Sequence, residues 1–264
     1  MSAKEPKAKI MKMRFSLDNS ICGAFTGLLF FVGLSELSLA AQPAKRATEM
    51  LKQDDGRIVR LTTNDIPSLN SLRPVFLIVP AKKYLTNGEI FEQAAARAAA
   101  IGFYAARFDW SFSFDGLTRE KEAELARRDL ALVLRELKKR PYLDLSRFFV
   151  LAKSFGATLF AEHFGGEKVA GLFLLTPNCD EDNPFEKRFA HWFAKGIPVR
   201  ATISVDDPYC DVTQMYRFQG KARKQLHTFQ YFYGDHNFVG KTQEGIEAVT
   251  HSIVEWLGHV RSLL

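Results

Sequence analysis

The 264-residue chain predicts an α/β fold, a mostly parallel, doubly wound sheet of about seven strands with helices on both faces. Three observations carry this. Short continuous apolar runs, such as PVFLIVP at 74–80 and RFFVLA at 147–152, have the length of strands. They lack the alternation of a one-sided sheet, so both of their faces are to be buried. These runs alternate with longer stretches whose apolar residues recur every three or four positions, as on one face of a helix. Glycine and proline punctuate the joins. Strands alternating with helices in this way build βαβ units around a parallel sheet.

The elements follow in order. Residues 57–63 and 74–80 are expected strands. A helix over 88–100 carries Ile90, Phe91, Ala94, Ala95 and Ala98, and Gly102 stops it. After a strand at 103–108, a long amphipathic helix spans 118–140, with Thr118 as N-cap and Glu120 and Glu122 in its first turn. Its stripe is Ala126, Leu130, Val133, Leu134 and Leu137, and Pro141 ends it. The strand at 147–152 runs straight into a helical segment that stops at Gly165-Gly166. Strands at 169–175 and 198–205 flank a short helix with Asn183 as cap, Pro184 at its first position and Gly196 past its end. A last strand at 226–233 precedes a terminal helix from about Thr242, with Ile246, Val249, Ile253, Trp256 and Val260 on one face. No internal repeat or low-complexity tract interrupts this order.

Before the fold, residues 1–40 read as an export signal. A basic stretch through Arg14 precedes a 14-residue apolar run, 21–34, and the small residues Ser38, Ala40 and Ala41 follow. The run is too short to span a bilayer alone, and extending it to Ala41 would bury Glu36. Cleavage would leave a soluble, exported chain without stable membrane association; an uncleaved segment would leave a membrane anchor. Residues 41–56 read as a polar linker and 57–264 as one domain. Of the formal net charge of +6, +2 falls in residues 1–40; the Lys/Arg residues are spread over helix-like segments without aromatic–basic interleaving, so a nucleic-acid partner is not expected. No metal-ligand spacing and no phosphate-cradling glycine loop stands out, so no metal and no cofactor is expected.

Ligands of a doubly wound sheet bind at the carboxyl ends of its strands, and three of those ends carry reactive side chains. The strand at 147–152 ends in Ala152-Lys153-Ser154-Phe155-Gly156 and enters a helix at once. The strand at 198–205 ends in Asp206-Asp207-Pro208-Tyr209, and that at 226–233 in Gly234-Asp235-His236-Asn237-Phe238. Ser, then acid, then His, each just past a strand, resembles the α/β-hydrolase superfamily, and the A-x-S-x-G turn resembles its nucleophile elbow. The FYGDHNFVGK segment resembles the histidine loop of small bacterial members, including the dienelactone-hydrolase-like group. The likeness covers roughly 70–260. Ala152 stands where the strict pattern has glycine, and the loop after 74–80 lacks the His-Gly often seen there.

The resemblance implies a serine hydrolase acting on carboxylic esters or a related small-molecule acyl substrate. Ser154 would be the nucleophile, His236 the base and Asp207 the acid, with Asp206 as the alternative one residue nearer the strand. Asp207 is preferred because it directly precedes Pro208, a turn start. The oxyanion donors would be the Phe155 N–H and a second N–H near Ala81 or Lys82. Trp110 and Lys82 are the candidate substrate-contacting side chains, and Lys153 either attracts anionic substrates or packs at the turn. Only about 20 residues separate the strands at 169–175 and 198–205, leaving little room for a lid. The resemblance also makes those two strands neighbours, which implies a Cys179–Cys210 disulfide in an oxidising compartment. A non-catalytic binding protein on the same scaffold and an acyltransferase are the other readings.

Overall fold

A computed structural model describes residues 44–66, 71–82, 88–179, 185–210, 212–221, 227–238 and 244–262. The export segment 1–40, and the Asn183 and Pro184 expected to open a helix, lie outside the described residues. Among the described residues, eight strands form one sheet: β1 (Lys45–Lys52), β2 (Ile58–Asp65), β3 (Arg73–Val79), β4 (Tyr104–Asp109), β5 (Leu143–Lys153), β6 (Gly171–Leu175), β7 (Val199–Ser204) and β8 (His227–Phe232). Six helices in the same residues accompany them: α1 (Glu89–Ala100), α2 (Arg119–Lys138), α3 (Phe155–His163), α4 (Phe185–Ala194), α5 (Val212–Lys221) and α6 (Glu244–Ser262).

The spatial order is β1-β2-β4-β3-β5-β6-β7-β8. The β1–β2 and β2–β4 pairs are antiparallel, and every pair from β4 to β8 is parallel. The sheet therefore has eight strands where about seven were expected, and the extra one is β1. It occupies residues expected to be linker, and pairs with β2 from Lys45↔Asp65 to Lys52↔Ile58. Its side chains are nearly all exposed, so hydrogen bonding rather than burial defines it, and no apolar pattern announces it. Helix α5 was likewise unexpected; it places Met215 in the core.

Alternate strand residues feed two apolar layers, as the pleat requires. Val75, Leu77, Val150, Leu172 and Leu174 join residues of α2, α3 and α4 on one side. Phe76, Ile78, Phe149, Leu151 and Phe173 meet α1 and α6 on the other. The α2 stripe is buried as the sequence pattern requires, and Thr118 Oγ1 caps the helix by accepting from Lys121 N–H at 3.3 Å. One polar knot is buried with it. Asp129 on α2, fully enclosed, accepts from Gln53 Nε2 (2.9 Å), from Ser111 N–H (2.7 Å) and from Ser111 Oγ (2.8 Å). This fixes the loop after β4, which carries Trp110.

Candidate active site

Strand β5 hands over to α3 at Ser154, whose φ of 50° and ψ of −119° lie in a region L-residues rarely adopt. The turn is held by Ser154 N–H donating to Leu175 C=O (3.0 Å) and by Ala157 N–H donating to Ser154 C=O (2.9 Å). Gly156 is required here because a Cβ at that position would collide with the Pro80 carbonyl and sit 2.9 Å from the Val79 carbonyl. Ala152, the departure from the glycine pattern, is fully buried and fits. The result lifts the Ser154 hydroxyl above the sheet's carboxyl rim.

The rim then assembles three distant segments. His236 Nε2 lies 2.7 Å from Ser154 Oγ. On the other side of the ring, Nδ1 lies 2.9 and 3.0 Å from the two carboxylate oxygens of Asp207. Asp207 is buried and its neighbour Asp206 is exposed, so the carboxylate before Pro208 is the one that meets the imidazole. The Asp207 Oδ1 also accepts from Tyr209 N–H (2.8 Å), and the half-exposed Tyr209 ring stands edge-on to the imidazole, 4.7 Å between centroids.

Lys153 is turned inward. Only 1% exposed, it donates from Nζ to Thr176 Oγ1 and to the His236 carbonyl, each at 2.7 Å. Burial pushes its ammonium down to about 7, against the pull of the Asp207 and Asp235 carboxylates. It therefore ties the histidine loop to β6 and is closed to solvent, so it offers no external charge to a substrate. Asn178 is a contact that the sequence reading missed: Ser154 Oγ donates to its Oδ1 at 3.0 Å. The only sequence signal is its place, three residues past β6 at the rim. Cys179 and Cys210 form a disulfide with Cα atoms 4.7 Å apart, joining the segments that carry Asn178 and Asp207.

The Phe155 N–H sits in the first turn of α3, where helix geometry leaves amides without intrahelical acceptors. The β3–β5 register pairs Val79 with Ala152, and the segment carrying Pro80 and Ala81 follows directly, with the Pro80 carbonyl against Gly156. The Ala81 carbonyl accepts from Trp110 Nε1 at 3.1 Å. Trp110 packs edge-on against Phe155 and Phe114, with centroids 6.0 and 6.5 Å away. Lys82 is exposed but leans onto α2: Nζ is 2.5 Å from Glu122 Oε1 and 5.4 Å from the Phe114 ring. Its charge is thus already paired.

No protein-family model matches the chain, and no curated protein matches its sequence. Solved structures match its fold. A serine hydrolase without lid from Xanthomonas campestris superposes with a TM-score of 0.59 at 15% identity, covering 82% of this chain and 95% of that one. The chain has the α/β-hydrolase fold. An esterase from Pyrococcus furiosus shares this hydrolase fold at a TM-score of 0.59 and 15% identity, over 82% of this chain and 93% of its own. A Bacteroides ovatus protein, provisionally a dipeptidyl aminopeptidase IV, matches at a TM-score of 0.62 and 16% identity. There the match covers 83% of this chain, which spans only 36% of that protein. Between β6 and β7 the described part of the hydrolase-fold chain inserts the single helix α4.

Proposed function

We propose that the chain is an exported serine hydrolase that cleaves carboxylic esters or related acyl bonds through an acyl-enzyme on Ser154. The observation that carries the reading is the relay Ser154 Oγ–His236 Nε2 (2.7 Å) and His236 Nδ1–Asp207 (2.9 Å), assembled from three strand ends. Ser154 Oγ bonds to the substrate carbonyl carbon while its proton passes to Nε2. Asp207 holds the Nδ1–H tautomer and stabilises the imidazolium. The carbonyl oxygen gains the charge, opposite the Phe155 N–H and an N–H at Ala81 or Lys82. Collapse expels the alcohol, which takes the proton from His236. Water then attacks the acyl carbon, gives its proton to His236, and Ser154 recovers one.

Trp110, beside the Ala81 loop, would form one wall for the acyl group, with the paired Lys82 on its lip. Among the described residues the rim carries no inserted lid domain, which favours small or surface-accessible substrates. The serine hydrolase and esterase among the structural neighbours support the same class, and a disulfide suits an oxidising compartment outside the cytosol. No cofactor enters these steps. A fluorophosphonate probe should label the chain lacking residues 1–40, and p-nitrophenyl esters should be turned over. Ser154→Ala and His236→Ala should each abolish both, with the double variant scarcely worse than either. An unlabelled wild-type protein, or an active His236→Ala, overturns the proposal and favours a binding role for the scaffold.

A further inference from the structure

The hydroxyl of Ser154 has more acceptors around it than protons to give. A serine Oγ carries one hydrogen and two lone pairs. Among the described residues two groups lie within hydrogen-bond distance of it, His236 Nε2 at 2.7 Å and the Asn178 side-chain amide at 3.0 Å. On the far side of the imidazole both neighbours of Nδ1 are carboxylate oxygens of Asp207, which only accept. Nδ1 therefore carries a hydrogen, and in a neutral imidazole Nε2 is bare. A bare Nε2 must receive the Ser154 proton if His236 is to act as a base. The Asn178 atom facing Oγ is Oδ1, at 3.0 Å, so a second acceptor competes for that one proton. A proton given to Oδ1 leaves the base nothing to remove.

We propose that Asn178 is a further catalytic residue, which donates from its side-chain amide to Ser154 Oγ in the reactive state. A half-turn about its Cβ–Cγ bond exchanges Oδ1 for Nδ2 with almost no change in shape, because which end faces a partner is decided by the hydrogen-bond network. The turned amide meets a lone pair of Oγ, and the Ser154 proton is released to Nε2. The backbone does not move with it. Asn178 C=O is held by Arg188 Nη1 at 2.5 Å, and the next residue is locked to Cys210 by the disulfide. Only the side chain has freedom to turn.

The donor acts where charge appears. As Oγ loses its proton to His236 it becomes more negative, and an N–H about 3 Å away gains more there than against the resting hydroxyl. Once Oγ is part of an acyl ester it is a weak acceptor, so the intermediate is not overstabilised. When water cleaves the acyl group, Oγ leaves with negative charge and meets the same N–H again. Both half-reactions therefore gain from one amide.

The inference rests on Ser154 being the nucleophile, and the test separates the two. Asn178→Leu keeps the shape with neither donor nor acceptor, and Asn178→Asp keeps the shape with acceptors only. Both should lower kcat on p-nitrophenyl acetate, and the rate of fluorophosphonate labelling, by about 10- to 100-fold, the range expected for one hydrogen bond to a charged group. KM and thermal midpoint should stay close to wild type, and Asn178→Ala supplies the same comparison where Leu does not fold. An Asn178→Asp enzyme within about threefold of wild type would assign the amide an acceptor role and sink the proposal. An Asn178→Leu enzyme within that range would sink it equally, with Ser154 still labelled and the nucleophile intact. A wild-type protein that resists the probe, like Ser154→Ala, would remove both proposals together.

Discussion

At the carboxyl rim of the sheet three residues with full side chains, Ser154, Thr176 and Phe238, hold left-handed φ values of 50°, 41° and 60°. At the amino rim the same conformation falls to glycines, Gly102 before β4 (φ 92°) and Gly196 before β7 (φ 72°). Glycine adopts it at little cost, whereas each residue with a side chain costs on the order of 1–3 kcal/mol. The carboxyl rim bears that cost because it needs the side chains. Ser154 presents its hydroxyl, Thr176 Oγ1 accepts from the buried Lys153, and Phe238 is enclosed against Phe232, 6.2 Å between centroids. Among the described residues, the strained side chains lie where groups must be aimed, and at the amino rim the positive φ values fall to glycine.

The strongest test of that division lies within the carboxyl rim, between adjacent acids. Asp207→Asn should lower kcat by up to roughly 10⁴, because the amide no longer enforces the Nδ1–H tautomer. Asp206→Asn, at an exposed position, should leave kcat nearly unchanged. Esterase assays on both variants decide, and a larger loss at Asp206 would break the assignment.

The disulfide should show the next largest effect, this time on stability. Cys179 and Cys210 close a segment of 31 residues, for which chain entropy gives about 3–4 kcal/mol at 25 °C. Urea denaturation of the Cys179→Ala/Cys210→Ala variant should reveal a loss of that order. Titration of unfolded, unreduced protein lacking residues 1–40 should find no reactive thiol, and two would refute the bridge.

Much of this was legible because burial writes a pattern. The runs PVFLIVP and RFFVLA became β3 and β5, and the stripe from Ala126 to Leu137 became the buried face of α2. That the three rim segments meet was legible through resemblance, and the contact of Asp207 rather than Asp206 with His236 through the proline that follows it. What escaped was set by pairing rather than by patterning. Strand β1 is exposed along its length and exists through its hydrogen bonds to β2. Asn178 meets Ser154 only because β5 and β6 are neighbours in space. For Lys153 the sequence favoured packing at the turn over a substrate-attracting charge, but its partners, Thr176 and the His236 carbonyl, were not legible.

That lysine makes the carboxyl rim sensitive to pH in stability. In the folded protein burial lowers its ammonium to about 7, whereas an unfolded lysine keeps its proton to about 10.4. Between those values the unfolded chain binds more protons, so this group's contribution to stability rises with pH and is least favourable below 7. The thermal midpoint of wild type should therefore gain on that of Lys153→Met between about pH 6.5 and about pH 9.5. A gap that stayed constant over this range would mean that Nζ does not titrate there.

The smallest effect belongs to the amino rim, and it tests the division from the other side. At Gly102 the chain turns out of α1 into β4 with φ of 92°, far along the sequence from Ser154, Asp207 and His236. An alanine Cβ there would lie 3.1 Å from Nη1 of Arg261, the far end of a flexible, exposed side chain that can swing aside by exchanging its bond to the Ile101 carbonyl for water. The remaining cost is the backbone conformation itself, about 1–2 kcal/mol for a residue with a Cβ. A protein of this size should lose roughly 2–8 °C in its thermal midpoint for that. Because the strain falls on a rim that aims no reactive group, kcat and KM of Gly102→Ala should match wild type below the new midpoint. A drop in kcat without loss of stability would mean that the amino rim, too, holds the geometry of the site, and the contrast between the two rims would fail.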